Sequence, residues 1–169
     1  ANNAIKTYGD SWALSNDAFE ASLKPLYGSD MISAVEFNCA GLAANALVGD
    51  YDIDISKING SGLDNYQIAI EKGKFKVLKR DLRIQALDVS KVYGDNFIAT
   101  GKEFFVDPIS LANNDTVQQV TVASVGFSTL ASANTYNITV SNATGRGLAN
   151  YNLQYNNATL YVTRKNITV

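Results

Sequence analysis

The chain repeats itself after 85 residues without a gap. Lys6-Thr7-Tyr8-Gly9-Asp10 returns as Lys91-Val92-Tyr93-Gly94-Asp95. Tyr51-Asp52-Ile53-Asp54-Ile55-Ser56 returns as Tyr136-Asn137-Ile138-Thr139-Val140-Ser141, and Gly60-Ser61-Gly62-Leu63-Asp64-Asn65-Tyr66 as Gly145-Arg146-Gly147-Leu148-Ala149-Asn150-Tyr151. The same offset pairs Phe19 with Phe104, Asp30 with Asp115, Val35 with Val120, Gly41 with Gly126 and Val77 with Val162. Chance does not hold one register through so many separated matches. Each half therefore encodes the same small fold, and that fold has to tolerate being strung in series.

Period-2 alternation within the matched segments predicts strands. Tyr51, Ile53 and Ile55 alternate with Asp52 and Asp54; Tyr136, Ile138 and Val140 alternate with Asn137 and Thr139. After a Gly-rich turn, Tyr66, Ile68 and Ile70 alternate, as do Tyr151, Leu153 and Tyr155. Polar turns then lead into strands carrying Phe75 and Val77, or Leu160 and Val162, which predicts a three-stranded meander closing each module. Further strands are expected around Ser33–Asn38 and Gln118–Val125, and Leu82–Ala86 opens the second module. Asp17–Lys24 and its partner Lys102–Ile109 read as strand or irregular, although Asp17–Leu23 taken alone would suit a short helix. The fold expected is all-β: two tandem small modules, with an Ig-like sandwich favoured and a β-grasp-like sheet with one short helix as the alternative.

Composition narrows the function. The apolar share of 46% supplies a core, and the net charge of −2 leaves no basic surface for nucleic acid. Histidine is absent, which removes the commonest general base and transition-metal ligand. The single cysteine, Cys39, allows no internal disulfide, and its counterpart Ser124 fits a small buried residue with no thiol chemistry. No apolar run is long enough to span a bilayer, no signal peptide stands at the start, and Ala1 reads as a mature or fragment start. No catalytic motif, cofactor site or metal cluster is expected.

The residues kept in both copies read as architecture. Gly60, Gly62, Gly145 and Gly147 suit turns that need positive φ, and Asn65 and Asn150 suit side chains bonded to the turn backbone. Leu63 and Leu148 would plug the end of the core. Tyr66 and Tyr151 would bury a ring and give the hydroxyl a partner at the rim. Tyr8-Gly9-Asp10 and Tyr93-Gly94-Asp95 read as tight turns capped by Asp. A Lys-to-Asn crosslink at Lys6 or Lys91 is the sharper alternative, and the turn explains their retention more simply. Asp50, Asp52 and Asp54 invite a calcium reading. Their carboxylates are spread along a strand, however, and the second copy has Thr135, Asn137 and Thr139, so a solvated face is preferred. Lys72, Lys74, Lys76, Lys79 and Arg80 read as a charged outer face guarding an edge. Asn-x-Ser/Thr triplets begin at Asn59, Asn114, Asn137, Asn142, Asn157 and Asn166, as an Asn- and Thr-rich β surface produces by composition.

The combination Lys-x-Tyr-Gly-Asp, a polar turn at Gly28-Ser29-Asp30 or Asn113-Asn114-Asp115, then Tyr-x-Ile and Gly-x-Gly-Leu-x-Asn-Tyr resembles the MBG/YDG-type repeats of large secreted bacterial adhesins. The resemblance covers essentially the whole chain. It implies a secreted, cell-surface location and a structural stalk or spacer repeat supporting adhesion or biofilm formation. A glycan- or receptor-binding module and a subunit of an extracellular filament are the other classes. The partners expected are neighbouring repeats or identical chains head to tail, or a host or matrix glycan; nucleic acid and membrane insertion are not expected.

The register also divides the chain. Residues 1–80 form a first module lacking its opening strand, 81–165 a second, and 166–169 the opening strand of a following one. Ile167 and Val169 match Leu82 and Ile84 and are candidates for strand exchange with another chain. A fragment cut from a longer array would show the same ends.

Overall fold

The computed structural model describes residues 1–15 and 26–169. The expected helix or strand at Asp17–Lys24 therefore lies outside the described residues. Among those described, the regular structure is β-strand with single turns of 3₁₀ helix. The chain divides into two compact units, Ala1–Arg80 and Asp81–Val169.

In the first unit β1 (Ala4–Thr7), β2 (Met31–Asn38), β3 (Gly49–Ser61) and β4 (Gly73–Leu78) form a sheet ordered β1-β4-β3-β2. β1 runs parallel to β4, and the other pairs are antiparallel. Following β5 (Arg80–Ala86), β6 (Val89–Val92), β8 (Thr116–Ala123), β9 (Asn134–Arg146) and β11 (Ala158–Thr163) repeat that arrangement as β6-β11-β9-β8. All four strands sit at the 85-residue offset from their counterparts. A second sheet of three strands, β10-β5-β7, is built from β5, β7 (Phe104–Phe105) and β10 (Tyr151–Asn156).

The long strands explain the curl of these sheets. β3 pairs with β4 through Gly49–Ile53 and with β2 from Asp54 onward, so it hands its hydrogen bonds from one neighbour to the other midway. β9 does the same, with β11 over Asn134–Ile138 and β8 from Thr139. Register shifts within β2·β3 and β8·β9 add local twist to the second half of each long strand.

Alternation sets the core. Ile53, Phe75, Val77 and Val35 are buried in the first unit, and Ile138, Leu160, Val162 and Val120 in the second. Each large aliphatic or aromatic side chain so buried contributes about 1.5–3 kcal/mol. In the second core β5 brings Ile84 and Ala86, and Val140 packs in the same cluster.

Two expectations are corrected here. The closing segments do not form a meander: β11 pairs with β9, while β10 between them in sequence leaves for the other sheet beside β5. Moreover, the alternating run at residues 66–71 is no strand at all, although its counterpart is β10. Its sequence has the strand period, but among the described residues no strand stands where β5 flanks β10, and alternation alone cannot hold an extended segment in a sheet.

Candidate functional site

The first retained motif is a turn held by a buried lysine. Thr7-Tyr8-Gly9-Asp10 closes with Asp10 N–H donating to the Thr7 carbonyl at 3.1 Å, and Gly9 takes φ of 91°. Val92-Tyr93-Gly94-Asp95 repeats it at 3.1 Å with φ of 92°. Positive φ at the third position is the type II requirement that favours glycine. Lys6 and Lys91 are only 4% and 8% exposed. Lys6 Nζ donates to the carbonyls of Asp10 (2.9 Å), Leu42 (3.2 Å) and Ala43. Lys91 Nζ donates to those of Asp95 (3.0 Å), Phe127 (3.4 Å) and Ser128. Each ammonium ties its strand to two loops at once and uses all three of its hydrogens. Burial pushes the Lys6 amine below the usual lysine range, opposed by the charge of Asp10. Asp10 also meets the Arg80 guanidinium at 3.3 Å. Tyr8 is buried, while Tyr93 is exposed and lines a shallow hollow with Arg164, Lys165 and Ile167.

The second motif joins a glycine, a carboxylate and a tyrosine. Tyr66 Oη donates to Asp30 Oδ2 at 2.9 Å and accepts from Tyr27 N–H at 2.7 Å. Tyr151 Oη does the same with Asp115 Oδ2 (3.0 Å) and Ala112 N–H (2.8 Å). Asn65 and Asn150 donate through Nδ2 to the carbonyls of Gly62 (3.2 Å) and Gly147 (3.1 Å). Gly62 and Gly147 take φ of 71° and 76°, and a Cβ on either would overlap the Asp30 or Asp115 carboxylate. Gly60 and Gly145 lie against the backbone carbonyls of Met31 and Thr116, where a Cβ has no room. Leu63 and Leu148 are half-buried on their 3₁₀ turns rather than seated in the core.

The acidic residues of β3 are met by lysines of β4 and the approach to it. Asp50 stands opposite Lys76 and Asp52 opposite Lys74 in the β3·β4 register. Lys74 reaches Asp52 at 2.5 Å, Lys72 reaches Asp54 at 2.8 Å, and Lys76 reaches Asp50 at 3.8 Å. The hydrogen bond from Lys74 holds the Asp52 carboxyl below its ordinary value, and the one to Asp54 holds the Lys72 amine above its own. Asp50, Asp52 and Asp54 and the first three lysines of the basic run, read separately in the sequence, are thus the two rails of one solvent-facing ion-pair ladder; they do not guard an edge as expected, because β4 lies between β1 and β3. Among the described residues, no group of three acidic, cysteine or histidine side chains is placed to hold a metal ion. Cys39 is a half-buried free thiol.

Sequence reasoning missed the lysine cages, the carboxylate partners of the two tyrosines, and Glu103. A signal for the cages was present: Lys6 is in phase with buried Tyr8, while Ile5 just before it is out of phase and 55% exposed. Glu103 accepts from Thr100 N–H (2.9 Å), Thr100 Oγ1 (2.7 Å), Gly101 N–H (3.0 Å) and Lys102 N–H (3.1 Å). Burial alone would raise its pKa, but those hydrogen bonds outweigh it and leave the carboxyl below its ordinary value. Ile167 and Val169, the strand-exchange candidates, are 84% and 119% exposed and belong to no strand.

Compared with family models, the chain matches the MBG domain (YGX type) twice, over residues 1–76 and 82–161. The chain belongs to the MBG domain family. The Tyr-Gly turns at Tyr8-Gly9 and Tyr93-Gly94 fall inside the two matches, one in each. MBG repeats are typical of large bacterial surface proteins and are typically non-catalytic. No curated protein matches the chain. No helix among the described residues is long and apolar enough to cross a membrane.

Proposed function

We propose that these two MBG modules are a force-bearing stalk or spacer of a secreted bacterial cell-surface adhesin, holding a binding head away from the cell. The observation that carries this reading is the parallel pairing of the first and last strands of the repeated sheet. Ala4–Thr7 lies in register against Phe75–Leu78, and Val89–Val92 against Leu160–Thr163. Tyr8 N–H to Leu78 O (2.9 Å) and Tyr93 N–H to Thr163 O (2.8 Å) lengthen each ladder. In a parallel pair the chain enters at one end of the ladder and leaves at the other. Pulling on the two ends slides the strands past each other and loads all the bonds together, whereas an antiparallel pair joined by a turn would unzip bond by bond. Lys6 and Lys91 anchor the entering strand through three further hydrogen bonds each. In the second module, a pull arriving through β5 loads its pairing with β10 before it reaches β6.

Single-molecule extension of the chain between handles at its two ends tests this. Two separate unfolding peaks are expected, each releasing at most about 300 Å of contour, from 85 residues at about 3.6 Å each. Forced unfolding is governed by the unfolding rate, so Lys6→Met or Lys91→Met should lower one peak and leave the other unchanged. Smooth extension without peaks would overturn the force-bearing reading.

A further inference from the structure

The repeated sheet presents a different outer face in each module. In β11, Leu160 and Val162 are buried, so Thr159, Tyr161 and Thr163 point away from the core. β11 is an inner strand, flanked by β6 and β9. Tyr161 stands between Ser90 of β6 and Thr135 of β9, and Thr159 stands opposite Asn137. The 85-residue counterparts of these positions belong to the ion-pair ladder: Lys76 for Tyr161, Asp50 for Thr135, Lys74 for Thr159 and Asp52 for Asn137. Both members of each cross-strand pair are exchanged for uncharged residues, and one of the replacements is an aromatic ring.

What stands on the second face is that ring among uncharged donors and acceptors. Tyr161 is 45% exposed although it has a strand on either side. Ser90, Thr135 and Asn137 beside it are exposed as well. The Thr139 and Thr163 hydroxyls donate to the carbonyls of Ala123 (3.3 Å) and Lys91 (3.2 Å). Among the described residues, the hydroxyls of Ser90, Thr135 and Tyr161 and the carboxamide of Asn137 have no such partner. Asp88, at the rim, accepts the Thr159 N–H at 2.7 Å.

These properties select a class of ligand. An acidic polymer needs cations to neutralise it, and these positions carry none. A protein partner needs a patch of about 800 Å² with an apolar centre, whereas here one ring stands among hydroxyls. A sugar ring has a face of C–H bonds that packs on an aromatic ring, and a rim of hydroxyls that exchange hydrogen bonds with hydroxyl and carboxamide groups. Adjacent strands lie about 4.8 Å apart and alternate residues of a strand about 6.8 Å apart, so the area from Ser90 to Asn137 takes one or two sugar rings.

We propose that the outer face of β6, β11 and β9 binds an uncharged oligosaccharide, with Tyr161 as the stacking platform and Ser90, Thr135 and Asn137 as hydrogen-bonding groups. The first module, which has the ion-pair ladder in the same place, does not share this site. Sugar binding does not depend on the stalk reading, which could fail in a pulling experiment while the site stands.

The test is titration of the isotope-labelled full chain with lactose, N-acetyllactosamine, maltotriose and diacetylchitobiose, followed by two-dimensional amide spectra. At least one should bind with a Kd of about 1 mM, the scale of a small, open site. The amides of Ser90, Thr135, Asn137 and Tyr161 should shift, while those of Asp50, Asp52, Lys74 and Lys76 stay in place. Sialyllactose should bind no better than lactose. Tyr161→Ala should weaken binding roughly tenfold, the upper end of what an aromatic stack supplies, and Tyr161→Phe should keep it. Tyr161→Lys/Thr135→Asp installs the first module's own pair in the same register; it should abolish binding while the rest of the spectrum shows the fold intact. No shift with any of the four sugars at about 50 mM would overturn the proposal. So would equal shifts on the outer faces of both modules, a preference for the acidic sugar, or binding that Tyr161→Ala leaves unchanged.

Discussion

Gly62 and Gly28 offer a controlled comparison within one module. Both have positive φ, 71° and 63°, but a Cβ on Gly28 meets nothing within 4 Å while one on Gly62 runs into the Asp30 carboxylate. Gly28→Ala should therefore carry only the left-handed backbone penalty, about 1–2 kcal/mol. Gly62→Ala carries the same penalty and must also push Asp30 away from Tyr66. That breaks a 2.9 Å hydrogen bond and leaves its part-buried groups unpaired, for a further ~1–3 kcal/mol. Trp12, the single tryptophan, packs edge-on against Phe75 at 6.3 Å between ring centroids, so its fluorescence reports the first module alone. In urea, with a slope near 1 kcal/mol per molar, the midpoint should fall by about 1–2 M for Gly28→Ala and by about 2–5 M for Gly62→Ala. A module of about 5 kcal/mol total stability could be unfolded outright by the larger loss. The cycle with Asp30→Ala resolves that case. With the carboxylate gone, Gly62→Ala should cost no more than Gly28→Ala, so the double variant is less damaged than the sum of its singles. Equal midpoints for the two alanine variants, or additive losses in the cycle, would refute the assignment of Gly62 to a carboxylate contact.

Replacing Lys6 or Lys91 by Met keeps the length of the side chain and removes the ammonium, leaving three carbonyls per site without that donor. Calorimetry should show one of two transitions destabilised by about 3 kcal/mol or more, and an unchanged thermogram would show that the cage does not hold the strand. Glu103 has its carboxyl depressed by hydrogen bonding in the folded state. Its contribution is thus present above the unfolded glutamate value and lost as pH falls through the lower folded value. Near-UV circular dichroism of the second-module tyrosines in an acid titration should show stability falling below the ordinary glutamate range, with the fall smaller in Glu103→Gln; identical titrations would remove Glu103 from the linkage.

Much of the fold was legible because a gapless repeat marks the positions that one backbone needs twice. The turn glycines, the amide caps of Asn65 and Asn150, and the core strands around Ile53 and Phe75 all follow from local rules: sign of φ, side-chain reach, period of two. A solvated face at Asp50, Asp52 and Asp54 was preferred over calcium on their spacing and on Thr135, Asn137 and Thr139 in the second copy, although the lysines that neutralise them emerged only when β3 and β4 were paired.

What the residues could not declare was which strand lies beside which. Ile68 and Ile70 alternate as well as Leu153 and Tyr155 do, yet only the latter form a strand, because a strand exists by virtue of a neighbour that its own sequence does not contain. The lysine cages are of the same kind: Lys6 and Lys91 look like surface charge until a loop about 36 residues away brings two carbonyls to the ammonium. The sequence by itself determined the repeat, the turns and the alternation, which depend on residues near one another in the chain. Only the tertiary structure decided the parallel β1–β4 and β6–β11 ladders, the buried ammonium groups and the departure of β10 to the sheet of β5. Each of these depends on hydrogen-bond partners that lie about 35 to 70 residues away.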